Sequence, residues 1–147
     1  MKILIDADAC PVVDLTISIA KSFEKEVFIF CDNAHEIYRD SAKTFIISQG
    51  ADAVDFALLS NVEKDDIVVT QDFGLASMVL TKEAHAINQN GLIYNKFNIE
   101  SLLFSRHMSQ KLRNSGKRTK GPKKRTKDDD FNFEQSLKTL LKNIDKK

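Results

Sequence analysis

Short apolar runs alternate along the chain with longer segments whose apolar residues recur at helical spacing, and this alternation predicts βαβ units around a mainly parallel sheet. Residues 2–6 read as the first strand. Pro11 stands where the pattern places the first helical position, and residues 12–23 are apolar at several phases, as expected of a helix packed closely on a sheet. Residues 26–31 and 44–47 read as the second and third strands, with 35–43 unassigned between them, and 51–62 as a short helix. A fourth strand at 67–70 leads into a helix at 74–83. A short fifth strand at 86–87 and a sixth at 92–94 flank an Asn90-Gly91 turn.

Beyond this body the pattern changes. Asn98 is a candidate cap for a helix from Ile99 to about Arg113, ended by Gly116. Residues 116–127 hold no hydrophobic residue except Pro122 and read as a loop. Phe133, Leu137, Leu140 and Ile144 then recur at steps of four, three and four, which predicts an amphipathic C-terminal helix docking on the body. The expected fold class is therefore α/β, three layers with a mainly parallel central sheet. Residues 1–105 form the domain body, and 106–147 add a basic helix and loop and the C-terminal helix to the same domain.

Composition adds little until charge is resolved along the chain. With 147 residues and 42% hydrophobic, one domain with one real core is expected, without disulfide or metal staples. The start, Lys2-Ile3-Leu4-Ile5, gives no export signal, and no stretch approaches the roughly 18 apolar residues of a membrane span. Two cysteines, Cys10 and Cys31, fit neither a disulfide framework nor a zinc motif, so reduced thiols in the cytoplasm are expected. The net charge of +1 hides a division: residues 1–105 carry 8 Lys and Arg against 16 Asp and Glu, whereas residues 106–127 carry 10 against none. A basic strip on an acidic body suits a polyanion, with nucleic acid the expected partner, although a solvated tail has the same composition.

Asp6 and Asp8 stand where a buried strand reaches the carboxyl edge of the sheet, the edge that holds ligands in open α/β sheets. Asp8 could equally cap the following helix. Asp6 ends an apolar run, so its charge needs a cation or hydrogen bonds. Asp72 repeats this arrangement after residues 67–70, with helix capping again the structural alternative, and Thr70 and Gln71 beside it could orient a phosphate or a water. Asp52 and Asp55 fall in the first turn of a helix, where exposed amides favour negative charge. Asp55 is set apart by Leu58, Leu59 and Val62, which place it on the apolar face, where it needs a partner. Asp32 is a further candidate, though Asp-Asn is ordinary turn material.

Hard oxygen ligands without a His or Cys cluster suit Mg2+ or Mn2+ rather than zinc. Such an ion would relieve the repulsion among the carboxylates and activate water for hydrolysis of a phosphate ester. His35, His85 and His107 are scattered and read as surface or packing residues, and Cys10 as a small buried one. Arg106, Arg113, Lys117, Arg118, Lys120, Lys123, Lys124, Arg125 and Lys127 form the basic strip, expected to hold phosphates without sequence preference and with strong salt dependence. Few aromatics interleave it, so base stacking is not expected there.

Taken together, Ile5-Asp6-Ala7-Asp8-Ala9-Cys10-Pro11-Val12, Asp52-Ala53-Val54-Asp55, Asp66-Ile67-Val68-Val69-Thr70-Gln71-Asp72 with Leu75-Ala76, Asn98-Ile99, and the Arg113, Gly116, Gly121-Pro122, Asp130, Phe133 tail resemble the bacterial YaiI/YqxD family of uncharacterised proteins. The resemblance runs over nearly the whole chain. It implies a PIN-like (NYN/PIN) domain, whose better known members are magnesium- or manganese-dependent RNases with acids at strand ends and on a nearby helix. By that likeness Asp6, Asp55 and Asp72 match the acidic positions, and Asp8 is an additional acid of the family. Lys96-Phe97 stands where a polar or acidic step is expected, so no fourth acid is predicted there.

Three readings follow. The first is a metal-dependent phosphodiesterase acting on RNA, with Asp6, Asp55 and Asp72 holding the ion, Asp8 assisting and the basic strip gripping the backbone. The second is a non-catalytic RNA-binding or ribosome-associated module. The third is a phosphatase of haloacid-dehalogenase type, which Asp-x-Asp after an apolar strand also resembles; there the first Asp is the nucleophile and the second a general acid. Cys10, where those proteins place Thr or Val, and the lack of an evident later Lys rank it last.

Overall fold

A computed structural model describes residues 1–48, 51–116 and 124–146. Five parallel strands form one sheet in the order β3-β2-β1-β4-β5, where β1 is Lys2–Asp6, β2 Glu26–Asp32, β3 Lys43–Ile47, β4 Ile67–Val69 and β5 His85–Ile87. Five helices cover it: α1 (Val13–Ser22), α2 (Ala51–Ser60), α3 (Phe73–Thr81), α4 (Lys96–Asn114) and α5 (Lys127–Asp145). The strands are apolar on both sides because both faces are covered. Ile3, Ile5, Val27, Ile29 and Val69 pack with residues of α1 and α5, while Leu4, Phe30, Val68 and Ala86 pack with α2, α3 and the start of α4. This is a three-layer α/β fold. Since all five strands are parallel, their carboxyl ends share one edge, and β1, the central strand, pairs with both β2 and β4.

Differences from the pattern reading have local causes. Pro11 precedes α1 instead of opening it. After β1 the chain turns back, with the Cys10 N–H donating to the Ala7 carbonyl at 3.1 Å and Ala9 in the left-handed region at φ 54°, and Val12 then caps the helix. No sixth strand forms among the described residues. Ile93 makes a single antiparallel bridge to Ile87, and the Asn88 side chain accepts from the N–H groups of Asn90 and Leu92, folding this stretch into a tight return. The cap of α4 is Asn95. Its side chain accepts from the Asn98 N–H while the Asn98 side chain accepts from the Asn95 N–H, a reciprocal pair that starts the helix at Lys96.

The C-terminal stripe docks as the periodicity predicts. Phe133, Leu137, Leu140, Leu141 and Ile144 are buried, and Thr126 and Asp129 form a capping box. Gly91, at φ 91°, lies against this helix so closely that a Cβ there would sit 2.6 Å from the Asn132 carbonyl oxygen. No helix among the described residues is long and apolar enough to cross a membrane.

Candidate functional site

The carboxyl edge of the sheet opens into a cleft of about 430 Å³ lined by Asp6, Asp8, Asp32, Asp55 and Asp72, with Gln71, Phe73 and Arg106 in the same walls. Four elements and their following turns deliver the acids: Asp6 ends β1 and Asp8 follows it, Asp32 ends β2, Asp55 lies on α2 and Asp72 follows β4. All four acids singled out as catalytic candidates thus line one cavity.

Asp6 and Asp72 are joined through Thr70, which is 2% exposed. The Thr70 hydroxyl donates to Asp6 Oδ2 at 2.8 Å, and the Asp72 N–H donates to Thr70 Oγ1 at 3.0 Å. Burial is the largest effect on Asp6 and raises its pKa. The Thr70 hydrogen bond opposes that rise, while the charges of Asp72 and Asp8 add to it. Asp55 is pushed up to about 6, first by burial and then by the charges of Asp6, Asp72 and Asp52. Negative charge is thus packed more densely here than the acids accommodate by themselves.

Asp72 is the N-cap of α3, its Oδ1 accepting from the N–H groups of Gly74 and Leu75 at 2.9 and 3.2 Å. The capping alternative and the cleft position therefore hold together, because Oδ2 accepts no hydrogen bond among the described residues. Asp8 does not cap α1, which has no side-chain cap at all, and its half-exposed carboxylate faces the rim.

The donor set fits a hard divalent cation, since every acid of the cleft offers oxygen. Among the described residues no group of three or more His, Cys, Asp or Glu is drawn together as a ready-made cage. Oxygen donors of this kind are the ligands that magnesium or manganese take, in contrast to the nitrogen and sulfur donors typical of zinc sites.

The basic strip divides. Arg106 lines the cleft, and Arg113 lies exposed in the last turn of α4. Lys124 is exposed beside a separate, more polar hollow away from the cleft's acids, and Lys127 is exposed at the start of α5. Arg125 is committed elsewhere. Its guanidinium donates to the Gln89 carbonyl at 2.7 Å, to Asn90 Oδ1 at 2.8 Å and to Asp130 Oδ1 at 2.6 Å, tying α5 to the turn after β5 instead of presenting charge to a phosphate. Lys117, Arg118, Lys120 and Lys123 lie outside the described residues.

A family model described as "Uncharacterized BCR, YaiI/YqxD family" matches residues 4–143. The chain belongs to the YaiI/YqxD family. A UPF0178 protein of Exiguobacterium sibiricum is 53% identical over 141 residues, covering 96% of both chains. Another, of Lachnoclostridium phytofermentans, is 48% identical over 147 residues, 98% of this chain and 99% of its own. A third, of Alkaliphilus oremlandii, is 47% identical over 93% of this chain and 88% of its own. No solved structure matches the chain.

Three residues of this YaiI/YqxD chain that support the cleft were given no role there by sequence reasoning: His35, read as a surface or packing residue, Tyr94 and Phe73. His35 Nδ1 lies 2.9 Å from Asp32 Oδ1 and 3.7 Å from Asp8 Oδ1, bridging two acids at the rim. That contact, with the Ala34 N–H, holds the Asp32 carboxyl below its ordinary range. The only signal was a His three residues after Asp32, readable as part of an Asx turn. The Tyr94 hydroxyl donates to the Thr70 carbonyl at 3.2 Å, and its pKa is pushed up to about 12 by burial and then by Asp72. Phe73 packs edge-on against Tyr94 at 6.2 Å, bracing the turn that carries Asp72. Cys10, expected to be buried, is half-buried, and its thiol pKa is raised chiefly by burial.

Proposed function

We propose that this YaiI/YqxD protein is a magnesium- or manganese-dependent phosphodiesterase acting on nucleic acid, with RNA as the substrate that the PIN-like resemblance implies. The observation that carries this reading is the convergence of Asp6, Asp55 and Asp72, from β1, α2 and the end of β4, on one cleft that also holds Arg106. Acids at two strand ends and on a neighbouring helix are the arrangement that resemblance implies, and they support the PIN-like placement. Two free cysteines, one half-buried and one buried, fit a reducing compartment such as the cytoplasm.

Asp6, Asp55 and Asp72 would hold the ion and Asp8 would assist from the rim. When bound, the ion polarises a phosphoryl oxygen and lowers the pKa of its water. The chain's own residues do the rest. Thr70 fixes one oxygen of Asp6 and, through the Asp72 N–H, the spacing between the two strand ends. Asp55, raised by burial and by the charges of Asp6, Asp72 and Asp52, is the acid whose charge a bound cation would relieve most directly. Arg106 offers a guanidinium to a phosphate entering the cleft.

Cleavage of a mixed RNA pool in manganese tests this reading with Asp6→Asn and Asp72→Asn. Both substitutions keep the side-chain shape, and Asn caps a helix as well as Asp does. Loss of cleavage in both, with folding intact, is expected. The capping bonds of Asp72 favour a second reading, a non-catalytic RNA-binding module whose acids are structural. In that case Asp72→Asn changes nothing measurable, and removing charge at Arg113 and Lys124 abolishes binding.

A further inference from the structure

A second hollow, of about 320 Å³, opens directly beside the acidic cleft, and Asp55 and Asp72 belong to the walls of both. Asp52 is a third acid in its walls, and the rest of the lining is apolar. Phe56 and Leu59 come from α2, and Leu75 and Met78 from α3. Phe56 is 71% exposed and Met78 50% exposed, so two large, exposed apolar side chains are presented to one hollow. Apolar side chains gathered around a concavity of this size mark a binding site more than chance exposure does.

What such a hollow would take follows from its neighbour. A molecule with its phosphodiester at the acids must place one of the groups attached to that phosphate in the adjoining space. The sugar, with hydroxyls around a small puckered ring, offers Phe56 and Met78 less flat apolar surface than a base does. A nucleobase has two apolar faces, which an exposed aromatic ring and a soft thioether can cover, and a polar edge that stays towards the acids and solvent.

We infer that Phe56, Leu59, Leu75 and Met78 form a nucleobase subsite for the nucleotide flanking the phosphate held in the cleft. The inference rests on the reading that a phosphodiester occupies the cleft, whether or not it is cut there. Recognition is by the face of the base and therefore tolerates base identity. The stacking absent from the basic strip is supplied here, by α2. Arg106 lines the cleft but not the hollow, so it would take the phosphate while the hollow takes the base.

Equilibrium binding of a short fluorescent RNA to the full chain in manganese tests this, using wild type, Phe56→Ala and Phe56→Tyr. The same RNA is prepared with 2-aminopurine at successive positions, and with an abasic nucleotide at those positions. Phe56 is largely exposed, so neither substitution disturbs the core, and a melting curve checks it. Expected are quenching of 2-aminopurine at one position in wild type and about tenfold weaker binding of the RNA abasic at that position. Phe56→Ala should lose the quenching, bind intact RNA about tenfold more weakly and no longer distinguish intact from abasic RNA, whereas Phe56→Tyr restores all three. If Phe56→Ala binds and quenches as wild type does, the subsite is overturned, and cleavage by that same variant would leave the phosphodiesterase reading standing. If the quenching and the abasic effect depend on Phe56 while wild type cuts nothing, the subsite stands and catalysis falls. If wild type binds no RNA, both fall.

Discussion

Asp55 carries the electrostatic state of the cleft in its own titration. Its folded pKa of about 6 against the ordinary 3.8 means that between those values the folded chain binds more protons than the unfolded one. Stability from this group therefore falls as pH rises through that window, and the penalty is fully present above about 6. Asp6, also raised, acts in the same direction. The metal-free protein is expected to lose melting temperature between pH 4 and 6.5, and Asp55→Asn to flatten that slope. A slope in Asp55→Asn as steep as in wild type would contradict the charge crowding. Residue by residue, the acids were legible because each stands at a strand end or on an apolar helix face. Thr70 was noticed beside Asp72, but its bond to Asp6 was not, since it spans 64 residues and exists only because β1 and β4 pair in register. His35, read as a surface or packing residue, is exposed, but its contacts with Asp8 and Asp32 were not legible because the bends that bring the three together are set by turn geometry.

At the scale of elements, α5 shows how a helix is held along its length and at its N-terminus. Phe133, Leu137 and Leu141 are fully buried along its length, and its N-terminus is held by the Thr126 capping box and the Arg125 bonds to Gln89, Asn90 and Asp130. Because the Arg125 bonds are partly exposed, Arg125→Ala is expected to cost about 1–2 kcal/mol of stability in chemical denaturation. Its affinity for nucleic acid should stay within about twofold of wild type, and a large loss of affinity with unchanged stability would reverse that assignment. The stripe of α5 was legible because its period is helical and its polar face is dense in charge. The role of Arg125 was not, because within a run of Lys and Arg nothing in composition marks the one residue with acceptors waiting. Asn95 and Asn98 lie three residues apart and both suit a cap. Choosing between them needed the return of the chain after β5, where a tight turn also took the place of the expected sixth strand.

At the scale of the whole molecule, Arg106, the first residue of the basic strip, shares the walls of the cleft with five carboxylates. Nucleic acid is expected to approach through the strip, so its affinity should fall steeply with salt. Arg106→Ala should weaken binding at low salt and reduce the slope of log affinity against log salt by about one, as for the loss of one phosphate contact. An unchanged slope would remove Arg106 from the interface. The parallel sheet itself was legible from alternating apolar runs, and with it the edge where the acids gather. How the acids sit relative to one another was not, because strand order and register lie beyond local pattern.

The most direct test of the account is manganese binding by calorimetry to wild type, Asp6→Asn, Asp55→Asn and Asp72→Asn. Saturable binding by wild type that is weakened at least tenfold in each variant, with folding intact, is the expected result. No saturable binding by wild type at millimolar manganese would show that the five carboxylates are turn, cap and rim residues, and would end the reading of the cleft as a metal-dependent centre.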